Sequence, residues 1–201
     1  MEASSDQNAL KWQASATRMA LIALLAALVV SALIGIGIVL KGDFGDTEGK
    51  LLGTTFGLAL FTVLAIPSTV QLGRSKYFAL SCFGIGVSVI AFFLVVAAIW
   101  SDGPFEEGLL TKLMVTFGVI AFASNHMALL LLATVTTTVI RITLLTTITL
   151  LVIIAVTLIT SVWTEDLPKE LARPLTVLAI LDVLGSLAVP VLIKLNRISA
   201  T

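Results

Sequence analysis

The sequence predicts an all-α integral membrane protein of six transmembrane helices, arranged as three tandem helical hairpins. Three observations carry this. Residues 18–40, RMALIALLAALVVSALIGIGIVL, run on past Arg18 without another charge, and Ser31 is their only other polar side chain. At about 1.5 Å per residue such a helix reaches roughly 30 Å, the thickness of the hydrocarbon layer of a bilayer. Five more stretches of the same kind follow, at 51–71, 77–100, 109–132, 140–163 and 174–195. Finally, 58% of the residues are apolar and 12% charged, with a mean hydropathy of +1.12, too few charges to clothe a water-soluble core. The lipid bilayer is the solvent these residues require.

The same composition excludes other classes. A net charge of zero offers no basic face for nucleic acid. Cys82, the single cysteine, lies in an apolar stretch and has no intrachain partner, so there is no disulfide framework. One histidine and one cysteine do not make an all-protein zinc or haem site, and no metal or cofactor is expected. The apolar run at 18–40 is longer than the roughly 7–15 residues of a signal h-region and is preceded by a polar segment, so it is expected to stay as a span.

Residues 1–17 are polar, with 8–18 either a short helix at the membrane surface, Trp12 at headgroup depth, or a polar tail. The transmembrane domain occupies 18–197. Its first span ends at Lys41, and KGDFGDTEGK forms an acidic loop. Pro67 interrupts the second span late, and GRSK makes a brief basic turn. The third span carries Gly84 and Gly86 and closes on Trp100 at the interface. After the acidic loop SDGPFEEG, the fourth span carries Lys112 near enough to its end to snorkel. The threonine-rich turn TVTTTVIR leads into the fifth, TEDLPKELAR follows it, and Pro174 suits the first turn of the sixth.

Six spans put both termini on one side, and charge says which. Lys11, Arg18, Arg74, Lys76, Arg141, Lys194 and Arg197 lie on the terminal side, against Lys41, Lys50, Lys112, Lys169 and Arg173 opposite. Both terminal-side turns lack carboxylates, while each opposite loop carries several, so the termini are expected in the cytoplasm. A repeat of about sixty residues underlies the pattern. Thr55-Phe56-Gly57 recurs as Thr116-Phe117-Gly118, each shortly after a lysine, with Thr176 in the corresponding place of the sixth span. Trp100-Ser101-Asp102 likewise recurs as Trp163-Thr164-Glu165.

Residues able to carry chemistry are few. Asp182, in LAILDVLGSL, is the one carboxylate far from an interface. Placing it near mid-bilayer costs on the order of 2.5–3.5 kcal/mol, so it must face protein or water. It is either a proton or cation site or a carboxylate hydrogen-bonded to a serine or threonine of a neighbouring helix. By helical rise from Leu109, His126 lies roughly 25 Å along its span, which does not place it level with Asp182. Beside Asn125, it is a proton carrier, a cofactor ligand or an interhelical hydrogen-bonder. Arg141 opens the fifth span, where it meets lipid phosphate or a carboxylate, or simply snorkels. Thr143, Thr146 and Thr147 share one side of that span, as packing or as the lining of a polar pathway. Gly53/Gly57 and Ser31/Gly35 are small-residue pairs that let helices approach closely. DFGDTEG lacks the order of a calcium loop, and no Walker A, H-E-x-x-H, G-x-S-x-G or C-x-x-C motif is present.

Two segments, KGDFGDTEGKLLGTTF and LTVLAILDVLGSL, resemble those of uncharacterised small multi-spanning bacterial inner-membrane proteins, with Lys41-Gly42 standing where a tryptophan would strengthen the likeness. The resemblance implies a bacterial inner membrane and supplies no activity or site. No enzyme is expected. The expected role is a non-catalytic accessory or structural component packing against other membrane subunits or copies of itself. The alternatives are a small transporter or channel using Asp182 and His126, and a cofactor-binding or enzymatic subunit built on His126.

Overall fold

The structure is a computed structural model that describes residues 45–72, 74–101, 108–133, 137–165 and 169–198, with scattered positions of 15–37. The described residues form five long helices outside the scattered positions of 15–37: α1 (Asp46–Gln71), α2 (Phe78–Trp100), α3 (Leu109–Leu131), α4 (Thr138–Thr164) and α5 (Lys169–Ile198). A single 3-10 turn, Ser75–Tyr77, precedes α2, and no strand occurs among the described residues. All five are long and apolar enough to cross a membrane. The span expected at 18–40 lies largely outside the described residues; described positions within it, such as Met19, Leu25 and Leu33, are helical. Apart from Ser15, the segment 1–17, with Trp12, also lies outside them.

The helices match the apolar stretches in place and differ at their polar ends. The helix of the second stretch begins at Asp46 rather than 51, taking in half of the acidic loop. Asp46 and Glu48 occupy its first turn, where unpaired N–H groups and the helix dipole favour negative charge. The last helix begins at Lys169 rather than 174, so Pro174 lies inside α5 and not in its first turn. Lys, Glu, Leu, Ala and Arg are all good helix formers, and adding residues to a formed helix is cheap. Thr137 caps α4, its hydroxyl accepting from the Ile140 N–H at 3.4 Å, and the helix stops at Glu165, whose φ of 56° is left-handed.

Chain neighbours pack antiparallel, as a series of contacts between α1 and α2 makes plain. A Cβ on Gly53 would lie 3.3 Å from Ile99 Cδ1, and one on Gly57 would lie 3.6 Å from Val95 Cγ1. Deeper in, the rings of Phe61 and Phe92 meet edge to face at 6.5 Å. At Gly53 a Cβ would press on Ile99, so glycine there eases the approach of α1 to α2, while at Gly57 a Cβ would sit at ordinary van der Waals distance. For the other pair, Ser31 lies outside the described residues. Val87, Ala91 and Ala121 form a buried cluster between α2 and α3, roofed by Phe61, Phe117 and Ile120.

Hydrogen bonds tie the ends. Trp100 Nε1 donates to Thr54 Oγ1 at 3.0 Å, joining the end of α2 to the start of α1. Trp163 Nε1 donates to Thr116 Oγ1 at 3.1 Å, joining the end of α4 to the start of α3. Lys50 lies over the Trp100 ring, and Lys112 pairs with Glu165 at the corresponding place between α3 and α4. At the opposite ends, the Arg74 guanidinium donates to the carbonyls of Leu131 and Leu132, which end α3 without an intrahelical partner. Between α4 and α5 the close approach is at Gly185, where a Cβ would run into the Thr147 side chain.

That approach predicts a contrast. Gly185→Leu forces α4 and α5 apart and should lower unfolding stability in mixed micelles by about 1–3 kcal/mol, as overpacking does. Gly118→Leu, where a Cβ meets nothing within 4 Å, should leave it within about 0.5 kcal/mol of the parent.

Candidate functional site

The polar residues of the membrane-length helices gather in two places. The first centres on Asn125, 1% exposed, in α3. Its Oδ1 accepts from Ser68 Oγ of α1 at 2.6 Å. Its Nδ2 donates to Ser88 Oγ of α2 at 2.8 Å and to the Ala121 carbonyl of its own helix at 2.7 Å, with the Gly84 carbonyl at 3.4 Å. Carbonyls can only accept, which sets the orientation of the amide. Ser88 Oγ donates onward to the Gly84 carbonyl at 2.7 Å. Gly84 makes room for this: a Cβ there would lie 2.6 Å from Ser68 Oγ and 3.3 Å from Asn125 Oδ1. One amide thus joins three helices in a closed network.

The second place lies between α3 and α5. His126 Nε2 is 2.8 Å from Ser186 Oγ and 3.8 Å from Asp182 Oδ2. The first is a hydrogen bond whose donor depends on the histidine tautomer; the second exceeds hydrogen-bond range and is a charge contact when the ring is protonated. Phe122, one turn earlier, stacks on the imidazole with centroids 5.7 Å apart and planes at 12°. Asp182 Oδ1 is buried without a hydrogen-bond partner among the described residues. Asp182 and Ser186 are four apart on α5 and so share a face.

His126 and Asp182 are level, contrary to the expectation from helical rise. The reason is the start of α5. Beginning at Lys169 instead of 174 puts Asp182 about 20 Å from the helix start, against roughly 25 Å for His126 on the parallel α3. Side-chain length covers the remainder.

The other sequence candidates do not join this pair. Asn125 precedes His126 in the chain but turns to α1 and α2. Arg141 is exposed on the first turn of α4. Thr146 is exposed, and Thr147 is buried where Gly185 passes. The hydroxyls of Thr143, Thr147, Thr149, Thr157 and Thr160 all donate to carbonyls four residues back on α4, so they serve their own helix. Sequence reasoning passed over Ser68, in a short polar run with Thr69 and Gln71, and Ser88 and Ser186, isolated among apolar residues; the i, i+4 spacing of Gly84 with Ser88 and of Asp182 with Ser186 was the available signal. It also passed over Gln71, fully buried at the end of α1, whose amide atoms have no partner among the described residues. Among those residues no three His, Cys, Asp or Glu side chains come together as metal ligands.

Fold and site therefore define an all-helical protein with several membrane-length apolar helices and one histidine–aspartate contact between them. No family model, curated protein or solved structure matches the chain.

Two outcomes follow for the polar groups. Asn125→Leu removes the shared centre of the α1–α2–α3 network and should cost about 1–2 kcal/mol in reversible unfolding, more than Ser68→Ala at about 0.6 kcal/mol. Outside the spans, the hydrogen bond and charge of Lys112 hold the Glu165 carboxyl below its ordinary value of 4.5. A lowered native value adds stability that is present above the unfolded pKa and fades as pH falls through the native one. Acid titration of the melting temperature should thus be shallower in Glu165→Gln than in the parent, with a constant gap between the curves above about pH 4.5 that closes as pH falls below it.

Proposed function

We propose that this chain is a non-catalytic component of a bacterial inner membrane, crossing it six times as three tandem hairpins with both termini cytoplasmic. It works by packing against other membrane subunits or copies of itself. The observation that carries the role is how its polar groups are used: Ser68, Ser88 and Asn125 close on one another, and six threonines of α4 close on their own backbone. Few remain to line a path or perform a reaction. α5 is the least covered of the described helices, with Ile180, Leu184, Leu187 and Val191 exposed along it. Lipid can solvate such a face, and so can the apolar helix of a partner.

Two sets of contacts in corresponding positions support the hairpin repeat. Trp100 with Thr54 and Trp163 with Thr116 are like bonds at the same ends of consecutive units, one residue apart in register, since Thr116 aligns with Thr55. Gly84 beside Asn125 and Thr147 beside Gly185 are also equivalent, with the small and large residues exchanged between partners. Arg74 reaching the end of α3, and Lys112 reaching Glu165 at the other end, are in keeping with basic turns on one face and acidic loops on the other.

One observation favours transport as a second reading: His126 and Asp182, 3.8 Å apart, are titratable groups in contact within membrane-length helices. A photo-crosslinking residue at Leu184, activated in the native membrane, separates the two. Packing predicts a discrete protein adduct, lost when Leu187 is replaced by a bulky polar residue. Absence of any protein adduct, together with a proton or solute flux in proteoliposomes that Asp182→Asn abolishes, replaces packing by transport.

A further inference from the structure

One seat for a tryptophan is filled twice along this chain and stands open a third time. In α1 the Thr54 hydroxyl donates to the Lys50 carbonyl at 2.8 Å and accepts at 3.0 Å from the indole of Trp100, the last residue of the antiparallel α2. In α3, Thr116 accepts from Trp163 Nε1 of α4 at 3.1 Å. A lysine one turn before each threonine completes the seat: Lys50 lies over the Trp100 ring, and Lys112 pairs with Glu165, just beyond Trp163. In α5 the corresponding threonine is Thr176, whose hydroxyl donates to the Ala172 carbonyl at 2.9 Å as Thr54 does to Lys50. Arg173 brings the cation one turn earlier, on the same side of the helix. Both residues are exposed, and no indole donates to Thr176 among the described residues.

The open seat heads a bare face. Ile180, Leu184, Leu187 and Val191 follow Thr176 at helical spacing and are all exposed, on the least covered of the described helices. A lipid chain covers such a face but brings no N–H to Thr176. The two filled seats show what does: an apolar helix running antiparallel, closing on tryptophan, with a carboxylate two residues later, as in Trp100-Ser101-Asp102 and Trp163-Thr164-Glu165. A second copy of this chain has none to offer. Its Trp100 and Trp163 are already seated within it, and Trp12 is followed by Gln13 and Ala14, without the carboxylate. We propose that α5 is the docking face for a transmembrane helix of another membrane subunit, whose terminal tryptophan donates from its indole to Thr176 Oγ1 and whose following carboxylate pairs with Arg173. This rests on the packing role above and gives that role a partner of defined chemistry.

A synthetic peptide of residues 78–102, which ends in Trp-Ser-Asp, serves as the probe. It carries an energy-transfer acceptor and is reconstituted in phosphatidylcholine vesicles with the full chain carrying the donor. Saturable transfer is expected. Trp100→Phe in the peptide keeps a ring and loses the N–H; Thr176→Val in the chain loses the acceptor and, since Thr176 bonds only its own helix, should keep the melting temperature. Each should weaken binding by about threefold to tenfold, and both together no more than either alone. Binding indifferent to either change, or no tighter than that of an all-leucine helix, overturns the proposal. So does equal transfer between two labelled populations of the full chain, which seats a second copy on this face. In each of these cases a protein adduct at Leu184 in the native membrane still leaves the packing role standing, so the two failures are told apart.

Discussion

Each polar group carried into an apolar helix must find its partner within the protein, because hydrocarbon offers none. The helices answer for the backbone, and the side chains follow by the nearest available route. Six threonines of α4 return their hydroxyls to carbonyls one turn back, which costs no tertiary commitment. Asn125 has more atoms to satisfy than its own helix can serve, so it draws on Ser68 and Ser88 and thereby sets how α1, α2 and α3 meet.

Close approach is the condition for this, and small residues provide it. Gly53 eases the approach of α1 to Ile99 of α2, and Gly84 admits the Asn125 amide. Packing in such an environment depends on dispersion and interhelical hydrogen bonds, since the lipid is as apolar as the side chains. Buried alanines and serines at the α2–α3 contact, among them Ser81, Ser88, Ala91 and Ala121, therefore do more for the assembly than the larger exposed leucines.

The α3–α5 region departs from this economy. There the carboxylate of Asp182 is buried, one oxygen lacks a partner, and the neighbouring histidine is held by a serine. A group so costly to place in hydrocarbon is where a ligand or a proton can change the energy most. The proposed accessory role rests on the closed network around Asn125.

Length and hydropathy alone were enough to locate the apolar helices, since a run of some twenty uncharged residues has few other ways to satisfy its backbone. They could not say where the helices ended in the polar loops: Asp46–Lys50 and Lys169–Arg173 read as connections and fold as helix. That error of a few residues at the start of α5 hid the pairing of Asp182 with His126, because each residue shifts depth by about 1.5 Å. The individual polar residues stood out in the chain, but their partners did not. Asn125 and His126 are adjacent in sequence and face opposite neighbours, and only the packing of α3 between α1, α2 and α5 decides which serine each one meets.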